Sequence, residues 1–227
     1  MFTEAGAGGE PLTTEEAFFD KIRQKDFPCV GAKSALANGR MKVMAARDLT
    51  SAWNDLAIHD ALLDWAALDL APDDLRSFAV IFEGPRDLSE LAFERAMWER
   101  LQSLSDKDVW KHQPYDPSVS SDPESPDFSL SFGGSAFFVV GLHPHASRPA
   151  RRFPNPTLVF NLHEQFERLR EKGLYHRMRE RILDRDVSLA GDINPMLAVH
   201  GESSEARQYS GRVVEADWRC PFHRRTP

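Results

Sequence analysis

Residues 128–142 read FSLSFGGSAFFVVGL, two short runs rich in Phe, Val and Leu on either side of Gly-Gly-Ser. Aromatic and β-branched residues fit a pleated, half-buried surface, and a glycine turn between two such runs is the mark of an antiparallel hairpin. The expectation is a hairpin closed by a three-residue turn. Immediately downstream, residues 143–156 (HPHASRPARRFPNP) hold four prolines and exclude regular helix or strand. Thr157 to Leu162 (TLVFNL) then reads as another buried strand. The irregular residues between these strands are expected to lie across a sheet edge.

Upstream, Ser77 to Phe82 (SFAVIF) is a strand closed by Glu83-Gly84-Pro85, and Met41 to Ala46 is a shorter one. Residues 113–127 (QPYDPSVSSDPESPD) carry four prolines among small polar residues and read as a long irregular loop. Helices surround these strands. Thr13 or Thr14 caps one that runs to Lys25, with Glu16 completing a capping box and Phe18, Phe19 and Ile22 as its apolar stripe. Phe27-Pro28-Cys29 breaks it, because a residue before proline is pushed out of the helical region. Ser51 to Leu70 and Asp87 to Leu104 show apolar residues at helical spacing, and His163 to Arg185 reads as two charged helices divided near Gly173. A last strand is expected around Val213 to Trp218. Residues 1–12, rich in Gly and Ala, read as a disordered leader. The sum is a single α+β domain over residues 13–227, with a mixed or antiparallel sheet of four to five strands covered by helices.

Composition narrows the function classes. The 227 residues carry 28 Lys+Arg against 35 Asp+Glu, a net charge of −7, which argues against a general nucleic-acid binder. The longest apolar run, Ala136 to Leu142, is far short of the roughly 20 residues of a membrane helix. The N-terminus lacks the basic start and apolar stretch of a secretory signal, so a cytoplasmic protein is expected. Two cysteines, Cys29 and Cys220, exclude a disulfide framework and a four-cysteine zinc module. Each reads as an inert buried thiol or, more sharply, as a thiolate ligand to haem iron. Dinucleotide, phosphate-loop and nucleophile-elbow motifs are missing.

Three segments carry the remaining chemistry. The 143–156 loop places His143 at a strand end, followed by Arg148, Arg151 and Arg152, a set that suits a metal or proton-exchanging imidazole beside anion-pairing guanidiniums. A solvated basic loop is the plain alternative. His163 and Glu164 open a helix, but Glu167 stands where a zinc protease would need histidine, so favourable charge at a helix start reads better than metal ligation. Residues 200–212 (HGESSEARQYSGR) combine Glu202, Glu205, Arg207, Tyr209 and Arg212, which suits either surface ion pairing or a zwitterionic ligand.

The blocks FPCVGAKSAL, SFAVIFEGP, the forty-odd residues from FSLSF to FERLR, NPMLAVHG, SEARQYSGR and WRCPF together resemble the YqcI/YcgG family, from about Phe27 to Phe222. The chain is similar in this respect to the haem-dependent N-hydroxylase of the guanitoxin pathway. The resemblance implies a haem b monooxygenase that uses O2 to hydroxylate a nitrogen of a guanidine- or amine-bearing small molecule such as arginine. Electrons would come from an external donor, since no flavin or iron–sulfur motif is visible, and a homodimer is plausible. Within that frame His143 is the first choice for the iron and His163 the second. Arg148, Arg151 and Arg152 would meet the propionates, and Phe137, Val139, Phe153 and Phe160 would form apolar walls. Glu83, then Glu205, would pair a cationic substrate, with Arg207 and Tyr209 nearby. The alternatives are a non-catalytic haem binder or sensor, suggested by Cys220-Pro221, and a cofactor-free binder built on residues 200–212. No nucleic acid or membrane partner is expected.

Overall fold

A computed structural model describes residues 13–68, 75–196 and 203–225. The leader and the end of the Ser51–Leu70 helix expectation lie outside the described residues. The elements run α1 (Thr14–Arg23), α2 (Val30–Ala37), β1 (Met41–Asp48), α3 (Asp55–Ala66), β2 (Ser77–Gly84), α4 (Glu90–Trp110), β3 (Leu130–Phe132), β4 (Ser135–Leu142), β5 (Thr157–Leu162), α5 (His163–Glu171), α6 (Tyr175–Ala190) and α7 (Ala206–Tyr209). The strands form one mixed sheet in the order β1-β2-β5-β4-β3. Only β1 and β2 are parallel, with α3 in their crossover; the other neighbours are antiparallel. The chain is an α+β single domain.

Alternation along the central strands sorts side chains onto two faces. Phe78, Val80 and Phe82 of β2, Phe137 and Val139 of β4, and Leu158, Phe160 and Leu162 of β5 pack against α3, α4 and α7 in the larger core. Each such side chain, fully buried, stabilises the fold by about 1.5–3 kcal/mol. The opposite face carries Ala79, Ile81, Leu142 and Val159, which α1 covers through Phe18 and Ile22. The capping box forms as the sequence implies, with Thr13 and Glu16 satisfying each other's backbone N–H groups.

The hairpin is closed by two residues, not three: Phe132 pairs with Ser135, leaving Gly133 and Gly134 at φ +60° and +78°. Two consecutive positive φ angles match the twist of the flanking strands, and glycine supplies them without steric cost. Gly141 serves closeness instead, since a Cβ there would stand 2.8 Å from a Phe93 ring carbon and 3.1 Å from the Tyr209 carbonyl oxygen. Its absence lets α4 and α7 close onto β4.

Four further expectations change. The residues after Ser51 begin with a 3-10 turn (Ala52–Asn54) before α3. The helix expected over Asp87–Leu104 starts at Glu90, capped by Ser89, and runs on to Trp110. The 143–156 connection does not cross a sheet edge. It joins adjacent antiparallel strands that pair Leu142 with Thr157, and it folds back at their end through His143 N–H to Arg151 O (3.1 Å) and Phe153 N–H to His143 O (3.3 Å). Val213 to Trp218 is not a strand: Arg212 and the Trp218 indole both bind the buried Glu94 carboxylate, so side chains rather than a ladder hold this segment. Among the described residues, no helix is long and apolar enough to cross a membrane.

Candidate functional site

Helix α1 covers only part of its face of the sheet. Beside it β4 turns Phe138, Val140 and Leu142, and β5 turns Asn161, toward a cleft roofed by α6 and closed by the start of α2 and by α5. The cleft encloses a cavity of about 240 Å³. A second lobe of about 150 Å³ adjoins it and shares Phe138, Phe166, Met178, Ile182 and Gln208. Helix α6 reaches both because Met178 and Ile182 lie four apart on one face.

The walls are mainly apolar, and the polar groups among them are few and fixed. Asn161 accepts from the Ser77 hydroxyl at 2.7 Å. The Gln165 side chain accepts from the Arg76 N–H at 2.9 Å. Arg148 is buried and paired with Asp186 and with the exposed Asp192. Arg151 binds three backbone carbonyls, those of Gly141, Gln208 and Tyr209, at 3.1 Å each, tying the sheet end to α7. Burial lowers the Arg151 guanidinium to about 10, which still leaves it cationic at neutral pH.

Cys29 caps α2 at the cleft wall. Its Sγ accepts from the Ala32 N–H at 3.3 Å, and Gly31 N–H also points at it. Burial pushes this thiol up, while those N–H groups and nearby Arg151 pull it down. Burial is the largest of these effects, so the free thiol stays protonated at neutral pH, and the N–H groups and Arg151 are the features that favour a thiolate. Cys220 is different: it lies in the larger core, pushed up to about 12 by burial, with no access to the cleft.

The structure brings together only some of the residues singled out from the sequence. Arg148, Arg151 and Glu205 line the cleft. Arg152 instead binds the carbonyls of Ala146 and Ser147 within its own loop. Glu83 is exposed within β2, one residue before its end, and Arg207 is spent on the Trp218 carbonyl (3.1 Å) and the Trp218 ring. Tyr209 is fully buried, stacked on Trp98, and donates to the Phe137 carbonyl at 3.2 Å. Phe137, Val139 and Phe160 face the larger core, so their strand neighbours, one residue out of phase, form the wall. Glu202 lies outside the described residues. Cys29, read from the sequence as an inert thiol or a thiolate ligand, is placed at the cleft wall, and the missed groups are Arg76, Asn161 and the α6 face, for which no local pattern gave a signal.

His143 is 1% exposed and stacked on Phe93 at 4.3 Å, with neither ring nitrogen hydrogen-bonded, and it does not line the cleft. Burial lowers it to about 4 from 6.5, so the folded protein holds it neutral. The unfolded chain takes up this proton first, so His143 contributes its full stability above about pH 6.5 and loses it as pH falls toward 4. Between pH 7.5 and 4.5 the loss is expected to be about 2–3 kcal/mol. Urea unfolding at both pH values should show this acid loss reduced by that amount in His143→Leu; equal losses in the two proteins would contradict it.

Among the described residues, no cluster of three or more His, Cys, Asp or Glu side chains is arranged to hold a bare metal ion. No curated protein and no solved structure matches the chain. The family model of the YqcI/YcgG family matches residues 18–223, nearly the whole of the fold just described, and the chain belongs to that family.

Proposed function

We propose that the cleft is the site of a haem-dependent oxygenase that hydroxylates a nitrogen of a guanidine- or amine-bearing small molecule. The observation that carries this is Cys29, a thiol held by two backbone N–H groups at the wall of an apolar cleft. Haem b needs one axial donor, an apolar slot and cations for its propionates, and hydrogen bonds to the donor sulfur tune it. The lining residues fit those needs with Cys29 as the donor in place of His143. Arg148 can serve a propionate by releasing Asp192, whose side chain is 70% exposed and costs little to swing into water. The resemblance to the guanitoxin-pathway N-hydroxylase supports the reaction class.

When bound, haem supplies the activation of O2, with electrons from an external donor. The chain's own residues do the rest. Phe138, Val140 and Phe166 exclude water and orient a planar ligand against the sheet. The buried carboxylate of Glu205, in the adjoining lobe, pairs the cationic end of the substrate and so positions its nitrogen. Arg151 keeps the thiol side of the cleft positive.

The test is titration of the purified protein with hemin, followed by dithionite and carbon monoxide. A saturable one-to-one complex whose reduced carbon monoxide band has the position of thiolate ligation supports the reading. Absence of a stoichiometric complex removes it.

A further inference from the structure

The first residue of α5 stands between a carboxylate that lines the second lobe and one that is part exposed. His163 Nε2 lies 2.9 Å from Glu167 Oε1, one turn further along the helix, and Nδ1 lies 3.9 Å from Glu205 Oε1. Exposure drops after the first group of this line: the Glu167 side chain is 42% exposed, whereas His163 at 8% and Glu205 at 11% are largely buried, and Glu205 lines the lobe. Ser129 Oγ donates to the other Glu205 oxygen at 3.4 Å. Arg170 pairs with Glu167 at the outer end. Asp116 also feels the His163 charge, but its oxygens are taken by the N–H groups of Ala136 and Ser118 at 2.8 and 2.9 Å.

We infer that Glu167, His163 and Glu205 form a proton relay from solvent to the cleft, with His163 as its positioning residue. This rests on the oxygenase reading. Hydroxylating a nitrogen consumes O2, two electrons from the external donor and two protons: the N–H becomes N–OH and the second oxygen atom leaves as water. The apolar walls cannot supply protons. An imidazole between two carboxylates can, because one ring nitrogen releases a proton as the other accepts one. The 3.9 Å step to Glu205 is of a length that a small carboxylate rotation closes.

The test has two arms. In the cofactor-free protein, the ring nitrogens of 15N-labelled His163 are followed by NMR in wild type, Glu167→Gln and Glu205→Gln. Shifts in both variants are expected, and a ring that ignores either carboxylate overturns the relay without touching the haem reading. In the hemin-loaded protein, with arginine as probe substrate and a flavoprotein reductase as electron source, hydroxylated product and hydrogen peroxide are both measured. His163→Gln keeps a hydrogen-bonding side chain but cannot pass a proton, and is expected to lower kcat about 100-fold with KM unchanged. Its peroxide share rises and its haem spectrum stays that of wild type. Glu167→Gln, at the exposed end, keeps the fold and lowers kcat less, because water replaces it. Coupled turnover within twofold of wild type in His163→Gln or, should that variant not fold, an unchanged peroxide share in Glu167→Gln overturns the relay. Haem uptake without product in wild type overturns the hydroxylase reading and the relay's use together.

Discussion

Cys29→Ala is expected to lower the affinity for hemin at least about 100-fold, the upper end of what losing a mere outer-shell partner of a metal costs. The same variant should lose the thiolate signature of the reduced carbon monoxide complex. The argument runs from the helix start inward. Pro28 ends the preceding chain, Cys29 takes an extended conformation as N-cap, and the first N–H groups of α2 point at Sγ because nothing else satisfies them. Those N–H groups and Arg151 favour the thiolate, whereas burial alone disfavours it. Bound ferric iron would tip that balance. Cys29→Ser separates ligation from capping: a serine at N-cap holds the helix as well or better, so the fold stays while thiolate ligation goes. His143→Leu should leave the thiolate signature in place, since His143 stacks on Phe93 outside the cleft. If Cys29→Ser binds hemin with the wild-type spectrum and His143→Leu does not, the assignment of the donor is reversed.

The sheet was legible because its strands are short apolar runs bounded by Pro and Gly, and Thr157–Leu162 ends where TLVFNL ends. The helices with strong caps or charged faces, α1, α5 and α6, were legible for the same kind of reason. Helix α2 was not. VGAKSALA has small residues all round and no apolar stripe, and its N-cap is a cysteine rather than Ser, Thr, Asp or Asn. The site was legible only in part. Its cleft-facing side chains come from α2, β4, β5, α5, α6 and the 143–156 loop, and no local pattern joins segments so far apart. The phase of β4 was the decisive ambiguity. AFFVV is apolar at every position, so alternation does not say which set faces the larger core; the register Val139–Phe160 against the α4 side decides it. The His/Arg-rich loop drew attention by composition, yet most of its groups are spent on backbone carbonyls, which is how an irregular connection satisfies its own polar atoms.

Asp55→Ala is expected to cost about 3–5 kcal/mol, the penalty for breaking a buried ion pair from one side. Asp55 begins α3 with no exposed surface and receives Arg100 at 3.1 Å and Lys107 at 3.2 Å from α4, with the Ser103 hydroxyl between them. Arg100 is 5% exposed and cannot turn to water when its partner goes, so the loss falls on an uncompensated buried cation rather than on a missing contact. The same helix pair carries His59 and Asp108, 2.9 Å apart, and Asp108 also accepts from Gly133 N–H at 2.9 Å, so strain there reaches the hairpin turn. For a chain of this length the cost corresponds to a fall in Tm of roughly 10 °C. A double replacement distinguishes the causes. Asp55→Leu with Arg100→Met removes both charges while keeping apolar volume, and should recover most of the lost stability if desolvated charge is the reason. If the double variant is as unstable as Asp55→Ala, packing at the α3–α4 contact, not the ion pair, sets the cost. Calorimetric Tm values of the three proteins at pH 7 decide between them, and because the pair sits on the side of the sheet opposite the cleft, hemin affinity should be the same in all three.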